Sequence, residues 1–406
     1  MATTYAYKVR DSGGKLVEGQ LEAEDATLVA GKLRQMGYTP ISINERGANK
    51  LGSDIKIPGL GNRVKLKDVA VFSRQFATMI NSGLSLIKAL GILAEQTENQ
   101  ELARVIGEVR RDVETGAALS VAISRHPKVF NRLYIAMVRS GEIGGVLDTV
   151  LLRLADTIEK QVELRRKIRS AMTYPVVVLC VCLLIASAML LFIVPQFKGI
   201  YKELNGTLPT PTQILIQISD IVKKYFPIVI LLGAVGIYLF RRWTKSEQGR
   251  PIWDAFTLRI PVFGPLLRKT ALARFSRTLA ALTRSGVGIL ESLDIVAETA
   301  GNEVVASAVR DTQQAVKRGD TLARPLEQHE VFPPMVVQMI AVGEETGAID
   351  EMLDKIADFY DQEVSATVDA LTSLIEPMLI LFMGVIVGGM IISLYLPMFN
   401  IIKLIK

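Results

Sequence analysis

Gly141-Glu142-Ile143-Gly144-Gly145-Val146-Leu147-Asp148 returns later in the chain as Gly343-Glu344-Glu345-Thr346-Gly347-Ala348-Ile349-Asp350. The two octads lie 202 residues apart. Working outward from them, the echo continues at a spacing of 203. Phe72-Ser73-Arg74 becomes Phe275-Ser276-Arg277, Ser82-Gly83 becomes Ser285-Gly286, and Ala94-Glu95 becomes Ala297-Glu298. Gly116 is matched by Gly319 and His126 by His329. Beyond the octads, Tyr174-Pro175 is matched by Glu376-Pro377, and an apolar run follows each proline. One unit has been duplicated: a helical module that feeds a membrane segment.

Composition agrees with that reading. Half of the 406 residues are hydrophobic (50%) and the mean hydropathy is +0.32, which suits two or three domains with membrane spans. The net charge of +6 matters less than where Lys and Arg cluster. Cys180 and Cys182 would diverge by about 200° on a helix, which argues against a disulfide between them. The first residues, Met1 to Lys8, have no apolar core, so they do not read as a signal peptide and are expected to stay in the cytosol.

Ala171 to Val194 and Pro377 to Phe399 carry no charge and are each long enough to cross a bilayer. Between them a further span, the second in chain order, is expected around Tyr225 to Phe240, bracketed by Lys223-Lys224 and Arg241-Arg242. Lys160, Arg165, Arg166, Lys167 and Arg169 precede the first span, and Arg241, Arg242 and Lys245 follow the second; both ends read as cytosolic. The third span is acidic on its near side and carries Lys403 and Lys406 beyond it. Charge bias there points the C-terminus inward, whereas parity points it outward, and parity is preferred.

Around the spans, Tyr5, Tyr7 and Val9 alternate, Asp11 to Gly14 is a turn, and a helix is expected from Asp25 to Met36 between further short strands: a ββαβ unit. In the first repeat Val69, Phe72, Phe76, Met79 and Ile80 form one helical stripe. Leu86, Leu90 and Leu93 form a second, and Leu102, Val105, Ile106, Val109 and Val113 a third. Further helices are expected at Leu119–Ser124, Arg132–Arg139 and from Val146 toward the membrane, giving a compact bundle. The expected fold is a mainly α membrane protein. It has a small α+β N-terminal domain (1–45), a linker (46–65), a first cytosolic helical bundle (66–170) and a transmembrane helix (171–194). An external loop (195–222), a second transmembrane helix (223–241), a second bundle (242–374), a third transmembrane helix (375–399) and a short tail (400–406) complete it.

Several residues stand out chemically. The octads read as helix–turn–helix corners. Gly141 and Gly343 would end a helix at positive φ, and Asp148 and Asp350 would sit in the first turn of the next. A second reading makes these corners a docking surface for a partner through Glu142 and Glu344. Asp354 and Asp358 fall on one helix face and, with Glu298, offer carboxylates to a hard cation such as calcium; solvated surface charge explains the same pair. Pro175 and Pro377 should kink or start a helix where it meets the membrane. Glu376, an ionisable group at that boundary, is either functional or solvated at the interface. His126 and His329 read as packing residues. No catalytic triad, Cys/His metal cluster or phosphate loop can be assembled, so the chain does not read as an ATPase or other enzyme. The arginines suit an anionic leaflet rather than nucleic acid.

Taken together, these residues resemble the GspF/PilC family, the inner-membrane platform proteins of type II secretion systems and type IV pili. The resemblance rests on the glycine pattern at Gly14 to Gly19, on Phe72-Ser73-Arg74-Gln75, Ser82-Gly83-Leu84, the two octads, and Tyr174-Pro175 ahead of its span. It implies two cytosolic six-helix bundles, three spans and a homo-oligomer in the bacterial inner membrane. Implied partners are a cytosolic assembly ATPase, pilin or pseudopilin, and other inner-membrane assembly proteins. Some relatives bind calcium at an acidic pair on the last bundle helix; here Leu152 replaces one carboxylate of the first copy, leaving Asp354 and Asp358 in the second. A transporter built from repeats is the competing reading, although the spans lack the polar groups that transporters place at mid-membrane.

Overall fold

The computed structural model describes residues 3–10, 16–23, 25–45, 63–196 and 210–404. The expected turn at 11–14, most of the expected linker, and positions 197–209 lie outside the described residues.

Residues 1–61 and 62–406 are two separate compact units. In the first, β1 (Thr3–Arg10), β2 (Leu16–Ala23), α1 (Ala26–Gln35) and β3 (Thr39–Glu45) follow in order. The antiparallel sheet runs β2-β1-β3, with Tyr5 opposite Leu21 on one side and Glu45 on the other. The β1–β3 register shifts between Lys8 and Val9, where Pro40 stands in the partner strand; proline cannot donate to a ladder and is tolerated on such an edge. Tyr5 and Val9 of β1 are buried together with Val29 and Leu33 of α1.

The second unit is helical throughout its described residues, and its elements repeat. The first copy comprises α2 (Leu66–Asn81), α3 (Leu86–Gln96), α4 (Gln100–Glu114), α5 (Leu119–Ser124), α6 (Arg132–Gly144) and α7 (Leu147–Ala188). After α8 (Thr210–Trp243) and α9 (Gly249–Arg259) come α10 (Phe263–Arg284), α11 (Ile289–Thr299), α12 (Glu303–Lys317), α13 (Ala323–Glu327), α14 (Pro334–Thr346) and α15 (Ile349–Leu404). Punctuation is duplicated with the helices. Asn99 and Asn302 cap α4 and α12 through side-chain oxygens that accept from backbone N–H groups. Gly83, Gly116 and Gly145 adopt positive φ, as do their counterparts Gly286, Gly319 and Gly347. The apolar stripes anticipated from spacing are the buried faces: Phe72 and Phe76 stack with centroids 5.5 Å apart, and Phe275 meets Phe332 at 5.0 Å. The buried residues of both copies form one continuous core.

The helices also revise the expected punctuation. Pro175 and Pro377 neither start nor break a helix: both lie inside uninterrupted helices, α7 and α15. An internal proline forfeits one backbone bond, a loss that neighbouring helices can accommodate at a membrane boundary. A short π turn, Met189–Ile193, continues α7. The external loop expected over 195–222 is helical from Thr210 onward. Pro211 sits in the first turn of α8, where a missing N–H costs nothing, and Ile214, Leu215 and Ile216 carry the helix on. Leu147–Gln196 and Ile349–Ser393 are long and apolar enough to cross a membrane. Their large side chains point outward, with Leu184 69% and Leu381 71% exposed, as only a lipid-facing surface tolerates over such a length.

Candidate functional site

The two octads form equivalent corners, but not through the glycines first expected to end the helix. Gly141 and Gly343 lie inside α6 and α14, and the left-handed residues are Gly145 (φ 67°) and Gly347 (φ 73°), four positions later. The earlier glycine serves close approach. A Cβ on Gly141 would stand 3.1 Å from Val150 Cβ and 3.2 Å from Leu147 Cα; on Gly343 it would meet Ile349 Cα and Met352 Cγ at 3.0 Å. Each corner therefore brings two helices into backbone contact.

Glu142 and Glu344 turn inward at these corners. The Glu142 carboxylate accepts from the backbone N–H groups of Leu119 and Ser120, the latter at 3.0 Å. Glu344 accepts from Leu322 N at 2.9 Å and Ala323 N at 3.4 Å. Both cap the short helix beside them and place a negative charge at its positive end. Asp148 and Asp350 occupy the first turns of α7 and α15, as expected. Asp350 also accepts from Arg284 at 3.1 Å.

The residues considered for a cation are committed elsewhere. Glu298 and Asp294 on α11 pair with Arg132 of α6. Asp354 pairs with Arg284. Asp358 takes Arg277 at 3.1 Å and Lys160 at 3.2 Å. Among the described residues no three His, Cys, Asp or Glu side chains gather in a metal-binding group. The donor set does not fit calcium, since each carboxylate is already matched by a cation of the protein. Glu376 is exposed on α15 and makes no ion pair among the described residues.

Two features escaped the reading of residue spacing. One is a duplicated arginine clamp. Arg74 of α2 holds Asp156 and Glu159 of α7, and Arg277 of α10 holds Asp358 and Asp361 of α15. The repeated Phe-Ser-Arg tripeptide carries this clamp in its third residue. The Arg74 hydrogen bond holds the Glu159 carboxyl below its usual range, against the opposing effect of burial. In the second copy burial pushes Asp361 up despite Arg277. Burial also works against the charge on Asp358, yet hydrogen bonds from Arg277 and Lys160 outweigh it and hold that carboxyl low. Asp361 is the deeper partner of the two, and its charge is the less well solvated.

The other feature is the seam between the bundles. Arg132 meets α11, Arg139 meets Glu291, and Ser140 Oγ donates to the Ser285 carbonyl. Arg153 donates to the Arg284 carbonyl, and Lys167 faces Asp369 at 3.7 Å. Beneath this polar line, Leu164, Ile168 and Ala171 of α7 pack on Leu266 of α10 and on Val364, Val368 and Leu371 of α15. The site is thus a joint: two bundles clasped together, each continuing into an apolar rod.

Known proteins share this organisation. The family model for type II secretion system (T2SS) protein F matches the chain twice, over residues 72–195 and 275–397. The model for the N-terminal domain of type II secretion system protein F matches residues 1–44. The duplicated bundle-and-rod is thus that of a secretion-system protein, and the chain belongs to the type II secretion system protein F family. It is 49% identical to the type IV pilus assembly protein PilC of Thermus thermophilus over 98% of both chains. It is 42% identical to PilC of Myxococcus xanthus over 98% of this chain and 94% of that one. With the type II secretion system protein F of Pseudomonas aeruginosa it shares 33% identity over 99% of both.

Proposed function

We propose that this chain is the inner-membrane platform of a machine that assembles type IV pili or drives type II secretion. One observation carries the reading: each bundle ends in a helix, 42 residues long in α7 and 56 in α15, that continues into an apolar segment. A continuous helix passes displacement from the packed bundle to the bilayer, which is what a motor-driven platform requires. The names of the relatives, assembly and secretion components, support it.

In this reading α8 holds the second of three spans, so both bundles (66–170 and 242–374) and the N-terminal unit face the cytosol. A cytosolic assembly ATPase acts on the bundles. Pilin or pseudopilin subunits are drawn from the bilayer beside the rods, and further copies of this chain and other inner-membrane proteins complete the base. The chain is a scaffold rather than an enzyme.

The test is a clean deletion in the host, complemented by the intact gene. Loss of surface fibres or of exported protein, restored on complementation, together with co-purification of a hexameric ATPase, is the expected result. Fibres and export that persist in the deletion strain would overturn the proposal. Protease added to sealed inside-out vesicles should cut both bundles; cutting from the opposite face alone would reverse the topology.

A further inference from the structure

A cavity of about 400 Å³ opens between α7 and α10, beside the point where α7 becomes apolar. Its volume is that of a small-molecule site. One part of its wall is apolar, with Leu164, Ile168 and Met172 on α7. The other part is cationic. Lys160 and Arg277 reach it but are neutralised by Asp358 and Asp361. Arg165, Arg169 and Arg274 also line it, and their side chains make no ion pair or hydrogen bond among the described residues.

Arg274 is the telling member. It is half-buried on α10, and its guanidinium lies so close to Gly301 that a Cβ there would collide with it. Burial, and then the neighbouring Arg165, press its pKa below the usual arginine range. Holding such a cation away from water without a counter-charge is costly. The fold does not demand it: the corresponding position of the first copy is Val71, which is exposed. Three arginines whose side chains lack ion pairs, lining one half-apolar cavity, are the complement of an anion carried on an apolar body, and arginine's planar fork matches phosphate oxygens.

We propose that this cavity binds a phosphate group through Arg165, Arg169 and Arg274, with the apolar part of its carrier lying along Leu164, Ile168 and Met172. Two sources share that chemistry, an anionic phospholipid headgroup and a soluble phosphate. The uncharged stretch that begins at Ala171 places the cavity at headgroup depth and favours the lipid. The site goes beyond a platform role and does not depend on it.

The test uses the full chain in nanodiscs of phosphatidylcholine, with and without phosphatidylglycerol. Native mass spectrometry after detergent extraction counts the retained lipid, and titration of inorganic phosphate into the phosphatidylcholine discs reads the soluble source. Arg274→Met removes the buried cation. Arg165→Gln with Arg169→Gln removes two exposed ones and leaves the packing intact, so it decides the question alone if the first variant does not fold. Arg166→Gln, exposed and outside the cavity, is the control. Phosphatidylglycerol retention that falls about tenfold in the cavity variants, as loss of a charged hydrogen bond predicts, and holds in the control supports a lipid site. Phosphate binding lost in the same variants supports the soluble source. Retention and phosphate binding that match the parent chain in every variant, or fall equally in the control, would overturn the proposal.

Discussion

Arg132, at the start of α6, donates to the carboxylate of Glu298, near the end of α11, and so fastens the first bundle to the second. Both side chains are about half exposed (47% and 51%). Such a pair sets the angle between two bodies more than it stabilises either. In a double-mutant cycle, Arg132→Ala and Glu298→Ala should show a coupling below about 1 kcal/mol, measured by thermal unfolding in detergent. A larger value would mean that the seam is a folding element rather than a register.

The two arginine clamps should differ. Arg277 is 9% exposed and Arg74 is 36% exposed. Arg277→Met strands the partly buried Asp361 and should destabilise the chain by about 2–3 kcal/mol. Arg74→Met should cost less than about 1 kcal/mol. Apparent melting temperatures in one detergent compare the pair directly, and an equal drop would refute the difference in burial.

Acid should loosen the first bundle through Glu159. Its folded-state pKa is depressed by Arg74, from an ordinary value of 4.5. The stabilisation is therefore complete above that value and is lost as pH falls through the lower, folded-state value. Because the pair is partly exposed, Glu159→Gln should flatten the acid limb of the stability profile only modestly, with no change in slope near neutrality. A variant whose profile overlays that of the parent below pH 4.5 would remove Glu159 from the account.

Gly343→Ala should be more damaging than Gly347→Ala. The first forces a methyl group to within 3.0 Å of Ile349 Cα, an overpacking that costs about 1–3 kcal/mol and spreads two helices. The second only places a side chain at φ 73°, worth about 1 kcal/mol. Denaturation midpoints of the two variants test the order.

Removing either corner carboxylate should fray the helix it caps. Glu142→Ala and Glu344→Ala should each cost about 1 kcal/mol, the usual worth of an N-terminal cap, and hydrogen exchange should quicken at Leu119–Ser120 or Leu322–Ala323. Exchange that stays slow would free these carboxylates for the docking role first considered for them.

Much of the helical scaffold was legible because local spacing dictates it. The stripe of Leu86, Leu90 and Leu93 marks α3, and the apolar Leu119–Ser124 segment marks α5 to the residue. Duplication doubled each observation. Glycine was legible as punctuation but not in kind. Gly141 and Gly145 both suit a helix end, and only packing against Val150 reveals that the first is there for contact. The acidic pair Asp354 and Asp358 shares a face as read, yet its cations come from Arg284, Arg277 and Lys160, which spacing along one helix does not reveal. The seam was invisible for the same reason. Arg132 and Glu298 are 166 residues apart, and no periodicity links positions that meet only after two bundles have folded.

The π turn at Met189–Ile193 has a geometric result. It inserts one extra residue into the coil, so everything past it is turned by about 100° relative to the phase set below. Short of the turn, Leu164 and Ile168 grip Leu266, Val364 and Val368; past it, Val194 faces Ile216 of α8 instead. A single rod thereby changes its companion partway along, so that one helix serves the bundle below and α8 above.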